Sequence, residues 1–518
     1  MATTCSPQNE RLGFAMNTRF RWVTLLLTMA LSTFAAFPVW AEDALGMDDA
    51  RHLLNRAGFA ASDTDIRAFA KLSRAVAVDQ LLNGIQTVAK QMPPAWTNEP
   101  PIPPVRLRDM TQEERQAEQR KNVERAFELR EWWFREMLTT TSPLSEKMTL
   151  FWHNHFATSQ QKVRFTPLLY QQHAMLRRNA LGNFGTLLRE VSRDPAMLVY
   201  LDGANSRKEQ PNENFAREVM ELFTLGEGNY TEKDIKEVAR AFTGWSVDRD
   251  TGQFMFRRGI HDYGNKTLLG KSGNFDGDQV IDILLAKPET AQFITRKLWK
   301  EFISPVADEA EVKRLAEIFR TSGYNIAKLA RAILTSDAFY APQSRAALIK
   351  SPVEFVVGTM KQFEIDAPNL RPFVIASALL GQNVFSPPNV KGWPGGDVWI
   401  NSATLLGRKQ LIDRLFRNED RMEVAMRNMD EMALRNGENA PPGRDARLQR
   451  QMERQMGGIR WNLDKWAGKF SANGQGTNAN HDMTRVVLAM APQNPPVEGE
   501  KPADWVRQLV YDPVYQLK

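Results

Sequence analysis

Asn212-Glu-Asn-Phe-Ala-Arg-Glu-Val-Met-Glu-Leu-Phe-Thr-Leu-Gly226, followed by Thr231-Glu-Lys-Asp-Ile-Lys-Glu-Val-Ala-Arg-Ala-Phe-Thr-Gly244, reads as two capped helices in succession. Pro211 precedes Asn212, an N-cap residue, and Glu213 sits in the first turn, where the helix dipole favours a carboxylate. Gly226 supplies the stop. Thr231 and Asp234 have the spacing of a capping box, with Asp in place of the usual Glu or Gln. At about 100° per residue, Phe215, Val219, Leu222 and Phe223 form an apolar stripe on the first helix. Asn214, Arg217, Glu218 and Glu221 form a second, polar stripe. If that stripe is buried, its carboxylates need a cation, a metal or a donor network. The alternative is a solvated face on which Arg217 pairs with Glu221 at i, i+4.

The same periodicity recurs on both sides. Ser142-Pro-Leu-Ser145 opens a helix carrying Glu146-Lys-Met-Thr-Leu-Phe-Trp-His-Asn-His-Phe156. Glu146 and His153 share one helical face, so Glu146 is a candidate to orient His153. His153 and His155 lie about 200° apart on a helix. They share one site only if the helix unwinds near Asn154; otherwise one caps a carbonyl and the other fills the core. Thr111–Arg130 suits a long solvated helix turning apolar at Trp132, Trp133 and Phe134. Asp202-Gly-Ala-Asn205 is a tight loop that places Asp202 and Asn205 near the start of the central helix, as ligand contacts or as ordinary turn chemistry. Ser246–Asp248 and Phe254–Phe256 predict a hairpin across Asp250-Thr-Gly252. His261 and Asp262 then open a Gly-rich run to Asp278. Val384–Asn401 is a long Pro/Gly/Trp loop, of the kind that tends to be functional. Its Trp393 and Trp399 are candidates to stack on a sugar, or plugs for a core edge.

These patterns predict an all-α fold: a large, multi-helix, bundle-like domain with a small β-hairpin and long Pro/Gly/Trp loops. The predicted divisions are a signal peptide over residues 1–41, the main domain over 42–416, a charged and partly disordered linker over 417–480, and a C-terminal docking segment over 481–518. Arg19 and Arg21 before the apolar run Trp22–Phe37, with Val39-Trp-Ala41 as the cleavage site, mark a general secretory leader. Met16 is the more ordinary start, which makes residues 1–15 a misassigned extension. Cleavage puts the mature protein in the periplasm or outside the cell, without a stable membrane span; a retained anchor is the alternative. The single cysteine, Cys5, falls in the leader, so thiolate catalysis and Cys-ligated zinc are excluded from the mature chain. Of the net charge of +6, the leader supplies +2, from Arg11, Arg19 and Arg21 against Glu10. No Lys/Arg run is interleaved with aromatics, which argues against a nucleic-acid partner.

The Asn212–Gly226 stretch resembles the signature of a bacterial exported family known as domain of unknown function eighteen hundred. So do Glu146–Phe156, Ala241-Phe-Thr-Gly-Trp245, His261-Asp-Tyr-Gly-Asn-Lys-Thr-Leu-Leu-Gly270, and Asn389-Val-Lys-Gly-Trp-Pro-Gly-Gly with Trp399-Ile-Asn-Ser-Ala-Thr404. The five blocks run from about His52 to Leu415. Genes of that family often adjoin those of an exported sulfatase-like family, so the resemblance implies a joint extracytoplasmic task.

Three readings follow. In the first, the protein is a metal-assisted hydrolase. His153, His155, Glu218, Glu221, His261 and Asp262 then hold a divalent zinc, manganese or iron ion, which makes hydroxide available near neutral pH. Glu218, Arg217 and Glu146 complete the catalytic set, Arg217 stabilising developing negative charge. No strong metalloenzyme spacing such as His-Glu-x-x-His supports it. In the second, the protein is a non-catalytic partner of an exported sulfatase-like protein and binds a glycan or a protein through Trp393 and Trp399, with Asp202 and Asn205 as further contacts. In the third, every block is structural. No Gly-x-Ser-x-Gly elbow, phosphate loop or dinucleotide fingerprint occurs.

Overall fold

The helices form where local chemistry starts and stops them. Thr111 and Glu114 close a capping box at the head of Gln112–Thr139, the longest helix described. The same reciprocal pairing starts Glu232–Ala241 (Thr231, Asp234), Gly277–Ala286 (Asp276, Gln279) and Pro352–Gln362 (Ser351, Glu354). In this computed structural model the described residues are 43–416, 459, 461–472 and 479–518. The predicted leader and most of the charged 417–480 stretch therefore lie outside the described residues.

From Asp43 onward the chain forms one compact unit, mostly α-helical, with two two-stranded antiparallel sheets. Among the described residues, no helix is long and apolar enough to cross a membrane. The long helix changes character along its length: its first half is largely exposed, and Trp133, Phe134 and Met137 enter the core. Trp152 of the helix Pro143–His155 is fully buried beside Phe156 and Phe184, and its indole N–H donates to the Ala180 carbonyl at 2.8 Å. Each buried ring of this kind contributes about 1.5–3 kcal/mol relative to exposure.

Two sequence expectations need correction. The linker over 417–480 does not extend through Leu463–Ala472, which is a helix. Its Leu463, Trp466, Ala467 and Phe470 recur at helical spacing and enter the core, and the Trp466 indole donates to the Gln362 carbonyl. It packs on Ala479–Val487 and Pro502–Tyr511, so the C-terminal segment is part of the same core. The Gly-rich run after His261, which the sequence leaves without regular structure, contains two short strands. The predicted hairpin forms as β1 (Trp245–Val247) and β2 (Phe254–Phe256), in the register Ser246 opposite Met255. A second hairpin follows as β3 (Lys266–Leu268) and β4 (Lys271–Gly273). Three-residue strands carry too little alternation to stand out in a sequence.

Candidate functional site

The signature stretch is one continuous helix only to Met220. Asn212 caps it, its side-chain oxygen accepting from the Asn214 and Phe215 amides. Glu221–Leu225 is then a π-helical turn. Thr224 lies in this turn, and its hydroxyl donates to the carbonyl of Val219, five residues back, at 2.6 Å. Such widened turns are frequent at functional sites. Gly226 ends the turn with φ +79°, where a Cβ would meet the Phe293 ring at 2.9 Å.

The π turn breaks up the polar stripe. Arg217 leaves it for a two-pronged pair with Glu232 at the head of the next helix. Asn214 donates to the Leu201 carbonyl at 3.3 Å. Glu221 accepts a hydrogen bond from the Tyr230 hydroxyl. Lys391, from the long Trp loop, brings its Nζ to 3.9 Å from Glu221 and 3.3 Å from Glu227. Glu218 is 9% exposed, and no described residue hydrogen-bonds or ion-pairs with its carboxyl. Burial first, then the neighbouring Glu221 charge, pushes that carboxyl above the ordinary glutamate value, although Lys391 and Arg217 act against the shift. Tyr200 lies within the reach of Glu218's charge; burial first and then that charge push its phenol upward.

The histidine block builds the frame around these acids. His153 Nε2 accepts the Phe385 amide at 2.9 Å. Asn154 binds the Trp393 backbone on both sides, accepting its N–H at 2.7 Å and donating to its carbonyl at 3.3 Å. His155 Nδ1 accepts from Lys297 at 2.9 Å, and its Nε2 lies 3.3 Å from the Phe223 carbonyl in the π turn. Three consecutive residues thus tie the loop that carries Lys391 and the turn that carries Glu221 to one helix end. At Gly392, φ is +80° and a Cβ would fall 2.2 Å from the Asn154 side-chain oxygen, so only glycine fits there. Asn154→Ala is expected to cost about 1–3 kcal/mol and to speed amide exchange across Asn389–Trp399. Gly392→Ala is expected to cost more, because it adds a clash and backbone strain to the same lost clamp. Hydrogen exchange and thermal melts of the two variants check both.

The other sequence candidates lie apart from the acid pair. Glu146 does not orient His153. It is fully buried against Arg177, whose Nη2 lies 2.7 Å from it, and accepts the Trp133 indole N–H at 3.0 Å. His261 is held by the Thr243 carbonyl, 2.7 Å from its Nδ1, among the rings of Phe256 and Tyr263. Asp262 pairs with Arg240, which holds its carboxyl below the ordinary range. Of the six proposed metal ligands, Glu218 and Glu221 stand together, while His153, His155, His261 and Asp262 are each engaged elsewhere. Among the described residues, no group of three or more His, Cys, Asp or Glu side chains is arranged to hold a metal ion. The helix stays wound through Asn154 to His155, so its two imidazoles serve different partners. Trp393 and Trp399 are 4% and 7% exposed, with Trp393 tilted against His153, so both rings fill the core edge and offer no open face for stacking. Asp202 and Asn205 line a separate surface groove.

Sequence reasoning missed Tyr200, Tyr230, Lys391 and Asn154 as participants. Lys391 and Asn154 stand inside the quoted blocks, and Tyr230 directly precedes the Thr231 cap. The resulting arrangement is a largely buried glutamate that no described residue hydrogen-bonds, beside a second carboxylate that is hydrogen-bonded and faced by a lysine. It can hold a proton on one group and accept one on the other.

No curated protein and no solved structure matches the chain. One family model does, described as a protein of unknown function, and it matches residues 52–517, past Leu415 where the quoted blocks end. With that span matched from the first core helix to the C-terminal segment, the chain belongs to the DUF1800 family.

Proposed function

We propose that this protein is an exported hydrolase of glycans that works by acid–base catalysis at Glu218 and Glu221. One observation carries the reading: Glu218 is 9% exposed, and no described residue hydrogen-bonds or ion-pairs with its carboxyl. A buried carboxyl left without partners destabilises the fold unless it is kept neutral, and groups in that condition concentrate at functional sites. Glu218 donates its proton to the leaving-group oxygen. Glu221, oriented by Tyr230 and faced by Lys391, takes a proton from the water whose oxygen bonds to the anomeric carbon as the glycosidic bond breaks. Division of labour between a carboxylic acid and a carboxylate is the common chemistry of glycosidic cleavage. The phenols of Tyr200 and Tyr230 near the two acids are polar groups suited to a hydroxyl-rich substrate. A sulfatase-like protein exported alongside would act on the same material, as the family resemblance implies. The dispersed donor set does not fit a resident divalent metal, and no step is routed through one.

The test is hydrolysis of a panel of p-nitrophenyl glycosides by the mature chain between pH 5 and 7. Turnover is expected to fall by roughly 10²–10⁴-fold in Glu218→Gln. The sign for stability runs the other way. The folded pKa of Glu218 lies above its unfolded value, so its contribution is full at low pH and is lost as pH rises through the folded value. Glu218→Gln is therefore expected to melt higher than the parent at neutral pH while losing activity. A panel that shows no turnover, or a Glu218→Gln variant as active as the parent, sinks the reading.

A further inference from the structure

Asn214, one helical turn before Glu218, donates to the Leu201 carbonyl, and the next residue, Asp202, borders a surface groove of about 430 Å³, lined also by Lys162, Asn205, Ser246, Arg249 and Arg257, among others. That is within the roughly 300–1,000 Å³ of small-ligand clefts. Tyr200 joins the two places. Its phenol senses the Glu218 charge, and Lys162 Nζ lies 6.0 Å from its ring centroid. The groove's lining holds three cations against one carboxylate. That carboxylate, Asp202, is already engaged by Lys162 at 2.7 Å, with Asp202 itself held at φ +59°. Asp248, beyond the lining, faces Arg257 but is committed to its own turn, accepting from Thr251 and Asp250. The side chains of Asn205, Arg249 and Arg257 make no hydrogen bond to another described residue. Two exposed guanidinium groups and an amide thus face an open space with their donors unused. A guanidinium fork matches the paired oxygens of a sulfate, a phosphate or a carboxylate.

We infer that this groove is an anion subsite that takes a charged substituent (sulfate, phosphate or uronate carboxylate) of a saccharide whose adjoining ring reaches the Glu218–Glu221 pair. Its role as a substrate subsite rests on the acid–base reading above; the binding itself does not. Arg249 and Arg257 neutralise the charge, Lys162 stands beside them paired with Asp202, and Asn205 supplies a neutral polar contact to the ring that bears it. Binding of this kind weakens with salt, because the groove is open to solvent.

The experiment is titration calorimetry of the mature chain at low and high salt with three probes: a heparin-derived hexasaccharide, an oligogalacturonate of the same length, and neutral cellohexaose. One or both charged probes are expected to bind at least about tenfold more tightly than the neutral one, and the better of the two names the preferred anion. That advantage is expected to vanish at high salt and in Arg249→Gln/Arg257→Gln. Both arginines are exposed, so this variant is expected to keep the parent's melting temperature; Lys162→Met gives an independent second variant. Equal binding of charged and neutral probes overturns the inference, as does binding of none or a charged-probe affinity untouched in both variants. Charged probes bound as tightly by Glu218→Gln as by the parent support the subsite. Such binding with no turnover of any substrate would sink the acid–base reading and leave the anion subsite standing.

Discussion

Acid is expected to unfold this protein steeply once the pH drops below 6.5. His52, His153, His155 and His173 are all buried. Burial holds His52 down to about 2 and His153 down to about 3, and places His155 and His173 well below their ordinary value of 6.5. Hydrogen bonding explains why three of these rings stay neutral. His153 accepts the Phe385 amide, His155 accepts Lys297, and His173 Nε2 faces an Arg177 N–H at 3.4 Å. A second ring proton would remove the acceptor in each case. Because the folded pKa values are depressed, these imidazoles contribute stability that is full above pH 6.5. It is lost as the pH falls toward the folded values, since only the unfolded chain takes up the protons. Asp194 opposes the trend, because burial pushes its carboxyl up to about 7 and the folded state binds that proton first. Glu218 acts in the same sense as Asp194. Burial pushes the Glu146 carboxyl upward as well, and it opposes the trend in the same way. The net difference of one to two protons amounts to roughly 1.4–2.7 kcal/mol per pH unit. A protein at the lower end of ordinary stability, about 5 kcal/mol, is then unfolded between roughly pH 4.6 and pH 3. Urea midpoints measured from pH 8 downward check this, and a stability that stays flat to pH 4 contradicts it. His52→Gln keeps a donor for the Phe339 carbonyl and is expected to flatten the slope by about one proton.

Replacing Glu146 by alanine is expected to cost about 3–5 kcal/mol. The carboxylate and the Arg177 guanidinium are 0% and 2% exposed at their side chains. Removing the carboxylate strands a buried cation and also leaves the Trp133 indole N–H without its acceptor. Partial relief comes from Glu136, 3.7 Å from Arg177, but its two oxygens already accept the Lys90 and Gln91 amides. Arg177→Leu is expected to cost a similar amount by stranding the carboxylate. The double change Glu146→Leu/Arg177→Leu is expected to cost less than the two singles together, because it leaves no unpaired charge. Melting curves of the three variants decide the matter. A Glu146→Ala protein as stable as the parent but catalytically dead would return Glu146 to the reaction centre.

These two cases mark the limit of reading polar residues from a sequence. Glu146 and His153 do share a helical face, as their spacing requires, yet neither bonds to the other. Glu146 meets Arg177 from the following helix, and His153 meets a backbone amide 232 residues further along the chain. The Glu218–Glu221 pair was visible as a stripe. Its present form was not, because the π turn shifts Glu221 away from a regular helical repeat, and a side-chain hydroxyl bonded to a backbone carbonyl leaves no periodic trace. The buried tryptophans of the long loop follow the same logic. Composition marked the loop as unusual, but Asn154, 239 residues away, sets which way the backbone around Trp393 runs.

The sequence by itself determined the helical class, the caps at Asn212 and Thr231, the first hairpin, and the family to which the chain belongs. These depend on residues within a turn or two of each other, or on blocks whose order along the chain is enough. Tertiary structure alone decided that most of the metal-ligand candidates stand apart, that the histidine block is a clamp, and that no described residue hydrogen-bonds or ion-pairs with Glu218. A helical period fixes which side chains share a face. What stands opposite that face is set by packing between segments hundreds of residues apart, and burial there decides which charges are paired and which are left to act.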